Sequence, residues 1–166
     1  MAHTSGFSGA THAILRVGAG LLFMMHGAQK LLGWFGGVGG DGGTVPLATQ
    51  IGLAGILELG GGALIVLGLL TRPVALLLAI EMLVAYFQVH LPKSIWPIEN
   101  QGELALLYFL VFVFLVGNRA GPMSVDAALR RGKRGAAGEI KLTREYRVPE
   151  ERPALRPRPR EREAGD

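Results

Sequence analysis

Four apolar runs, from Ala13 to Leu32, Ile51 to Leu70, Pro73 to Leu91 and Gly102 to Gly117, dictate what this chain can become. Each is near the roughly 20 residues that a helix needs to cross a bilayer, the last being the shortest. In lipid every backbone N–H and C=O must find its partner inside the protein, and the sequence lacks the strand alternation of an outer-membrane barrel. The expectation is an all-α, polytopic membrane protein built as a four-transmembrane-helix bundle over 13–129. A short cytoplasmic N-terminus over 1–12 precedes it, and an Arg/Pro-rich tail over 130–166 follows.

Charge sets the expected orientation. Of 17 basic residues, four (Arg16, Lys30, Arg72, Lys93) precede Arg119 and 13 follow from it onward, mixed with 8 of the 13 acids. A basic segment that begins where the last apolar run ends is the positive-inside pattern, so with four crossings both termini are expected in the cytoplasm of a cell with a bacterial inner (plasma) membrane. Arg16 and Arg72 agree with this orientation, whereas Lys30 and Lys93 fall outside. The opening MAHTSGFSGATHA lacks a basic n-region, so the first helix is read as an uncleaved anchor. The tail's mixture of Arg, Glu and Pro cannot bury enough apolar surface to fold alone; it is expected to be disordered and held near anionic lipid by its basic clusters. Its alternating acids and want of an aromatic platform argue against nucleic-acid binding.

The first apolar run carries His26, Gln29 and Lys30 in its last third. Positions i, i+3 and i+4 share a helix side, so these three are read as one polar patch. Ionisable groups inside a membrane segment are costly and face a bundle interior or water, which makes the patch a candidate site. The alternative is that Lys30 snorkels to the interface and His26 only packs.

The second run places Glu58 on a face with Gly55, Gly62 and Ile65, and small residues let membrane helices approach closely. Glu58 and His26 each lie about 12 Å from the outer end of their helices at 1.5 Å per residue, so the two can meet. In the third run Glu81 and Gln88 share a face. Glu81 is expected either to pack against a donor such as Arg16 or Arg72 or to belong to a proton path. Glu103 opens the fourth run, where a helix dipole would stabilise it and where it could also belong to the site. Trp34, Phe35 and Trp96 suit an interfacial aromatic belt.

Other chemistries fit poorly. The loop Gly37-Val-Gly-Gly-Asp-Gly42 matches G-x-G-x-x-G formally, but it follows a membrane helix and no strand precedes it, so it reads as a flexible or ligand-covering loop. Haem between His26 and His90 is disfavoured by a depth offset near 9 Å. No H-E-x-x-H or E-x-x-H spacing appears, which disfavours a built-in metal site. The chain has no cysteine, which removes thiol exchange and iron–sulfur ligation by this chain alone.

The run LRVGAGLLFMMHGAQKLLGWFGG, then ELGGGALIVLGLLTRP, then QGELALLYFLVFVFLVGNRAGPMSVD resembles the DoxX family of small four-helix membrane proteins. The likeness covers about Ala13 to Leu129. The family's H-G-x-x-K falls on His26, Gly27 and Lys30, its helix-two acid on Glu58, and its G-G-E-L on Gln101, Gly102, Glu103 and Leu104. Its closing G-P-G-x-x-S-x-D is partly kept, as Gly121-Pro122-Met123-Ser124-Val125-Asp126. The resemblance implies subunits associated with quinone-linked oxidation of sulfur compounds, or partners in bacterial redox-stress complexes.

Three functions are compatible with these residues. The first is a membrane subunit of an oxidoreductase, where His26, Lys30 and Glu58 bind a quinone headgroup or relay its protons, with Gln29, Gln88, Glu103 and Trp34 completing the binding site. The second is a small-solute permease using the same cluster, for which four short-looped helices without an internal repeat offer little room. The third is a non-enzymatic scaffold that recruits a partner, its buried charges fixing helix register.

Overall fold

The structure, a computed structural model, describes residues 6–133. Four long helices dominate it: α1 (Gly6–Leu32), α2 (Gln50–Leu67), α3 (Thr71–His90) and α4 (Glu103–Asn118). A single turn of helix over Pro97–Asn100 joins α3 to α4, and a last helix occupies 125–133. No strand occurs among the described residues. By length and composition α1, α2 and α3 can each cross a membrane. At 16 residues α4 is apolar along its whole length but extends only about 24 Å. Outward-facing Leu22, Leu53, Leu76, Ile80, Leu107 and Leu110 are each at least half exposed. An apolar surface of this extent is suited to lipid rather than water.

The helices form two antiparallel pairs. In the first, α1 and α2 meet along glycines spaced seven apart on each helix. A Cβ on Gly27 would stand 2.7 Å from the Gly55 carbonyl oxygen, and one on Gly62 would stand 2.9 Å from that of Gly20. Only hydrogen fits at these crossings, so the two backbones are nearly in contact. In the second pair, α3 and α4 pack Ala75, Leu78, Ala79 and Met82 against Ala105, Tyr108, Phe112 and Leu115. Phe23 of α1 and Ile65 of α2 close this core, with Phe23 edge-on to Phe112 at 4.9 Å.

Helix ends depart from the sequence expectation for identifiable reasons. α1 begins at Gly6, within the segment expected to precede the bundle, because its first turns pack on the chain after α4. His12 donates from Nε2 to the Arg119 carbonyl at 3.0 Å, its ring lies 5.4 Å from that of Phe114, and Gly9 sits against Pro122. α2 stops at Leu67 instead of Leu70, since Gly68 takes a left-handed conformation (φ 67°) that ends the helix. α3 then starts at Thr71, with Pro73 in its first turn. Of the tail expected to be disordered from Arg130, residues 130–133 continue the last helix. Residues 134–166 and 1–5 lie outside the described residues.

One end of the bundle is tied by Arg16. Its guanidinium donates to the carbonyls of Ile65 at 2.6 Å, Val66, and Met123 at 2.8 Å, joining α1, the end of α2 and the segment after α4. Asp126 accepts from the Leu70 and Thr71 amides at 2.9 and 3.0 Å, so it caps α3 from a distance of 55 residues in sequence. The partly kept closing motif is therefore structural, since Ser124 and Asp126 fasten the helix ends on this side.

Candidate functional site

At the opposite end the two pairs enclose a cavity of about 850 Å³. α1 contributes Phe23, His26 and Lys30, α2 contributes Gln50 and Glu58, α3 contributes Glu81 and Gln88, and α4 contributes Tyr108. The remaining wall is mostly apolar, including Leu53, Leu57, Leu77, Ile80 and Leu104, with His90 and Gln101 as its other polar members.

The glycine crossing places the charges. Because α1 and α2 touch at Gly27 and Gly55, Lys30 reaches across to Glu58 and its ammonium donates to both carboxylate oxygens, 2.5 Å from Oε1. Glu58 is buried and Lys30 about one-fifth exposed, so both charges are largely withdrawn from solvent. Around Glu58 the helix opens from i→i+4 to i→i+5 bonding over Leu57–Gly61. Such a bulge is a frequent mark of functional positions in helices, and the glycines at 60–62 make it sterically easy. α3 widens in the same manner over Tyr86–His90, beside the same cavity.

His26, one turn before Lys30, lies edge-on to Tyr108 with ring centroids 6.0 Å apart. Of the unit His26, Lys30 and Glu58 expected from the sequence, the ammonium of Lys30 is the ion partner of Glu58, and His26 contacts Tyr108 of α4. Glu81 faces the cavity too. Both of its carboxyl oxygens are buried without a hydrogen-bond partner among the described residues, and the two arginines considered for it are occupied elsewhere: Arg16 at the opposite end and Arg72 on the Val116 carbonyl at 2.9 Å. Gln88 accepts from the Gln50 side chain, a link between α3 and α2 at the cavity wall.

Three residues expected at the site are not brought to it. Gln29 lies about 100° around α1 from Lys30, and donates to the Gly37 carbonyl at 3.2 Å in the following loop. Trp34 is exposed and packs edge-on against Phe35. Glu103 is exposed in the first turn of α4, where the helix dipole accounts for it. His90 lines the cavity, with Nδ1 donating to the Asn100 carbonyl at 3.0 Å and its ring stacked on Tyr86. Tyr108 was not anticipated: in the sequence it is one aromatic among many in an apolar run, and only the packing of α4 against His26 reveals it.

The family profile of DoxX matches residues 11–91. A protein of Haemophilus influenzae described as an "Uncharacterized protein" is 38% identical over 117 residues, covering 69% of this chain and 87% of the relative. The chain belongs to the DoxX family. A second relative, from Bacillus subtilis, bears the description "Putative oxidoreductase CatD" and is 29% identical over 128 residues, covering 73% of this chain and 88% of its own. No solved structure matches the chain. The DoxX match spans α1 to α3 and thus His26, Lys30, Glu58, Glu81 and Gln88; Tyr108 on α4 lies beyond it. This DoxX chain is a membrane protein, its apolar helix faces in contact with the bilayer.

Proposed function

We propose that this protein is an integral subunit of a redox system in the bacterial inner membrane, binding a quinone headgroup in the cavity between its helix pairs. The observation that carries the reading is a matched ion pair, Lys30 with Glu58, set in the wall of a mainly apolar cavity of about 850 Å³. Cavities of several hundred cubic ångströms with apolar walls and a few convergent polar groups are typical small-molecule sites. The rim residues Leu53, Leu77, Ile80 and Leu104 are also exposed toward the bilayer, so an apolar tail can remain in lipid while a polar head enters. The relative described as an oxidoreductase supports the same class.

The residues present fit such a head. Lys30 has three N–H donors, of which the two Glu58 oxygens take two, and the Tyr108 hydroxyl and His26 ring nitrogens are further hydrogen-bonding groups. A bound quinone would supply a two-electron, two-proton couple. His26, Lys30 and Glu58 are groups that hold and move protons, and the low dielectric around them strengthens each hydrogen bond they make. With no cysteine in the chain, electrons are expected from a partner subunit.

Extraction of the protein purified in mild detergent tests this. Quinone is expected in the wild-type extract and at a lower level from Lys30→Met. A wild-type extract without quinone, coupled with no binding of added quinone, would overturn the reading.

A further inference from the structure

We propose that Glu81 selects for a hydroxyl-bearing head, so that the cavity holds a quinol in preference to the corresponding quinone; this rests on the reading of the cavity as a quinone-type site. Glu81 is the one acid of the cavity whose requirement is unmet. Both oxygens of Glu58 receive Lys30, whereas both oxygens of Glu81 are buried and receive nothing from the described residues. A buried polar group without a partner carries a full desolvation cost, and because Glu81 lines the cavity, a small turn of its side chain brings the carboxyl to a partner supplied from there.

The chemistry of that partner follows from counting donors and acceptors. An ionised carboxylate only accepts, while a protonated one accepts at its carbonyl oxygen and donates from its hydroxyl. A ligand carbonyl can only accept, so it satisfies the protonated form in part and the ionised form not at all. A ligand hydroxyl both donates and accepts, and serves Glu81 in either form. Lys30, His26 and Tyr108 supply donors elsewhere in the cavity, but none of them is bonded to Glu81. Among the acids of the cavity, the one left to distinguish a reduced from an oxidised head is therefore Glu81.

The test uses the full chain in lipid nanodiscs with three probes: a decyl-substituted benzoquinol kept reduced, its quinone, and its dimethyl ether, which keeps the ring and both oxygens without the O–H donors. Equilibrium dialysis is expected to give wild type a preference of about tenfold for the quinol over both the quinone and the ether, the scale of one well-made hydrogen bond to a buried group. Glu81→Leu, which removes an unpartnered polar group and should fold, is expected to bind quinol, quinone and ether alike. Glu81→Gln keeps an acceptor and is expected to retain most of the preference. In wild type the carboxyl infrared band should shift on quinol addition, and the shift should be missing from Glu81→Gln. An unchanged preference in Glu81→Leu, or no preference in wild type, overturns this inference while leaving the quinone-type site standing. Failure of all three probes to bind wild type overturns both.

Discussion

Lys30 and Glu58 are each costly in a low-dielectric bundle and tolerable together, because the ammonium meets both carboxylate oxygens. Glu58→Gln removes the anion and leaves the ammonium uncompensated, which is expected to lower stability by about 3 kcal/mol. Thermal unfolding in detergent should show Lys30→Met, Glu58→Gln to be more stable than either single variant; strictly additive effects would mean that the pair does not interact. A different acid acts at the other end. Burial alone would raise the Asp126 carboxyl, but hydrogen bonds from the Thr71 and Leu70 amides and the charge of Arg130 outweigh it and hold it below its ordinary value. A carboxyl depressed in the folded state stabilises above its unfolded pKa, so this contribution should be intact above about pH 4 and vanish as pH falls further. Asp126→Ala should cost about 1 kcal/mol at neutral pH, the scale of a lost cap, and should flatten the acid limb of the stability profile. Calorimetry across pH 2 to 7 checks both. Single residues were unevenly legible in the sequence. Lys30 and Glu58 stood out because charge is rare in apolar runs. Glu81 stood out as well, yet its lack of a partner depends on where Arg16 and Arg72 point, which helical periodicity does not encode.

The placement of the helices follows from hydrophobic length, and the observed segments lie where the apolar runs are. Their ends do not follow from hydropathy, since they answer to local backbone chemistry: Gly68 in the left-handed region ends α2, and contacts with Arg119 and Pro122 extend α1 backward to Gly6. Glycine content was visible in α2, whereas its match to the glycines of α1 at a common spacing required the antiparallel register. That register predicts opposite outcomes for similar substitutions. Gly27→Ala places a methyl against the Gly55 carbonyl and Leu59, must separate α1 from α2, and should lower the melting temperature while loosening Lys30 from Glu58. Gly60 has nothing within 4 Å of its added Cβ, so Gly60→Ala should be neutral or stabilise by up to about 1 kcal/mol through helix propensity. If both variants melt together, close backbone contact is not what joins this pair.

For the molecule as a whole, orientation turns on α4. Its 16 residues fall short of the usual crossing length, and a chain with three crossings would place its ends on opposite sides of the membrane. The bundle argues for a fourth crossing. α4 begins beside Asn100, to which His90 at the end of α3 is bonded, and it ends at Arg119, whose carbonyl meets His12 in the first turns of α1. It therefore runs the height of the same bundle that α1 to α3 define, and hydrophobic mismatch at a short helix is met by local thinning of the bilayer at modest cost. The 13 basic residues from Arg119 onward are then expected to decide which side that end occupies. Arg16 and Met123 are bonded at this end, whereas Lys30 and the cavity lie at the other, so the cavity is expected in the outer leaflet. Reporter fusions at Asp166 and within the Gly36 to Gly43 loop should report cytoplasmic and external locations respectively. Two external signals would mean that α4 does not cross, and a cytoplasmic loop would place the Lys30–Glu58 cavity in the inner leaflet. Reversing the charge bias with paired Arg→Glu substitutions between Arg119 and Lys133 should weaken the cytoplasmic signal at Asp166 if those charges hold the orientation, and should leave it unchanged if the bundle alone does.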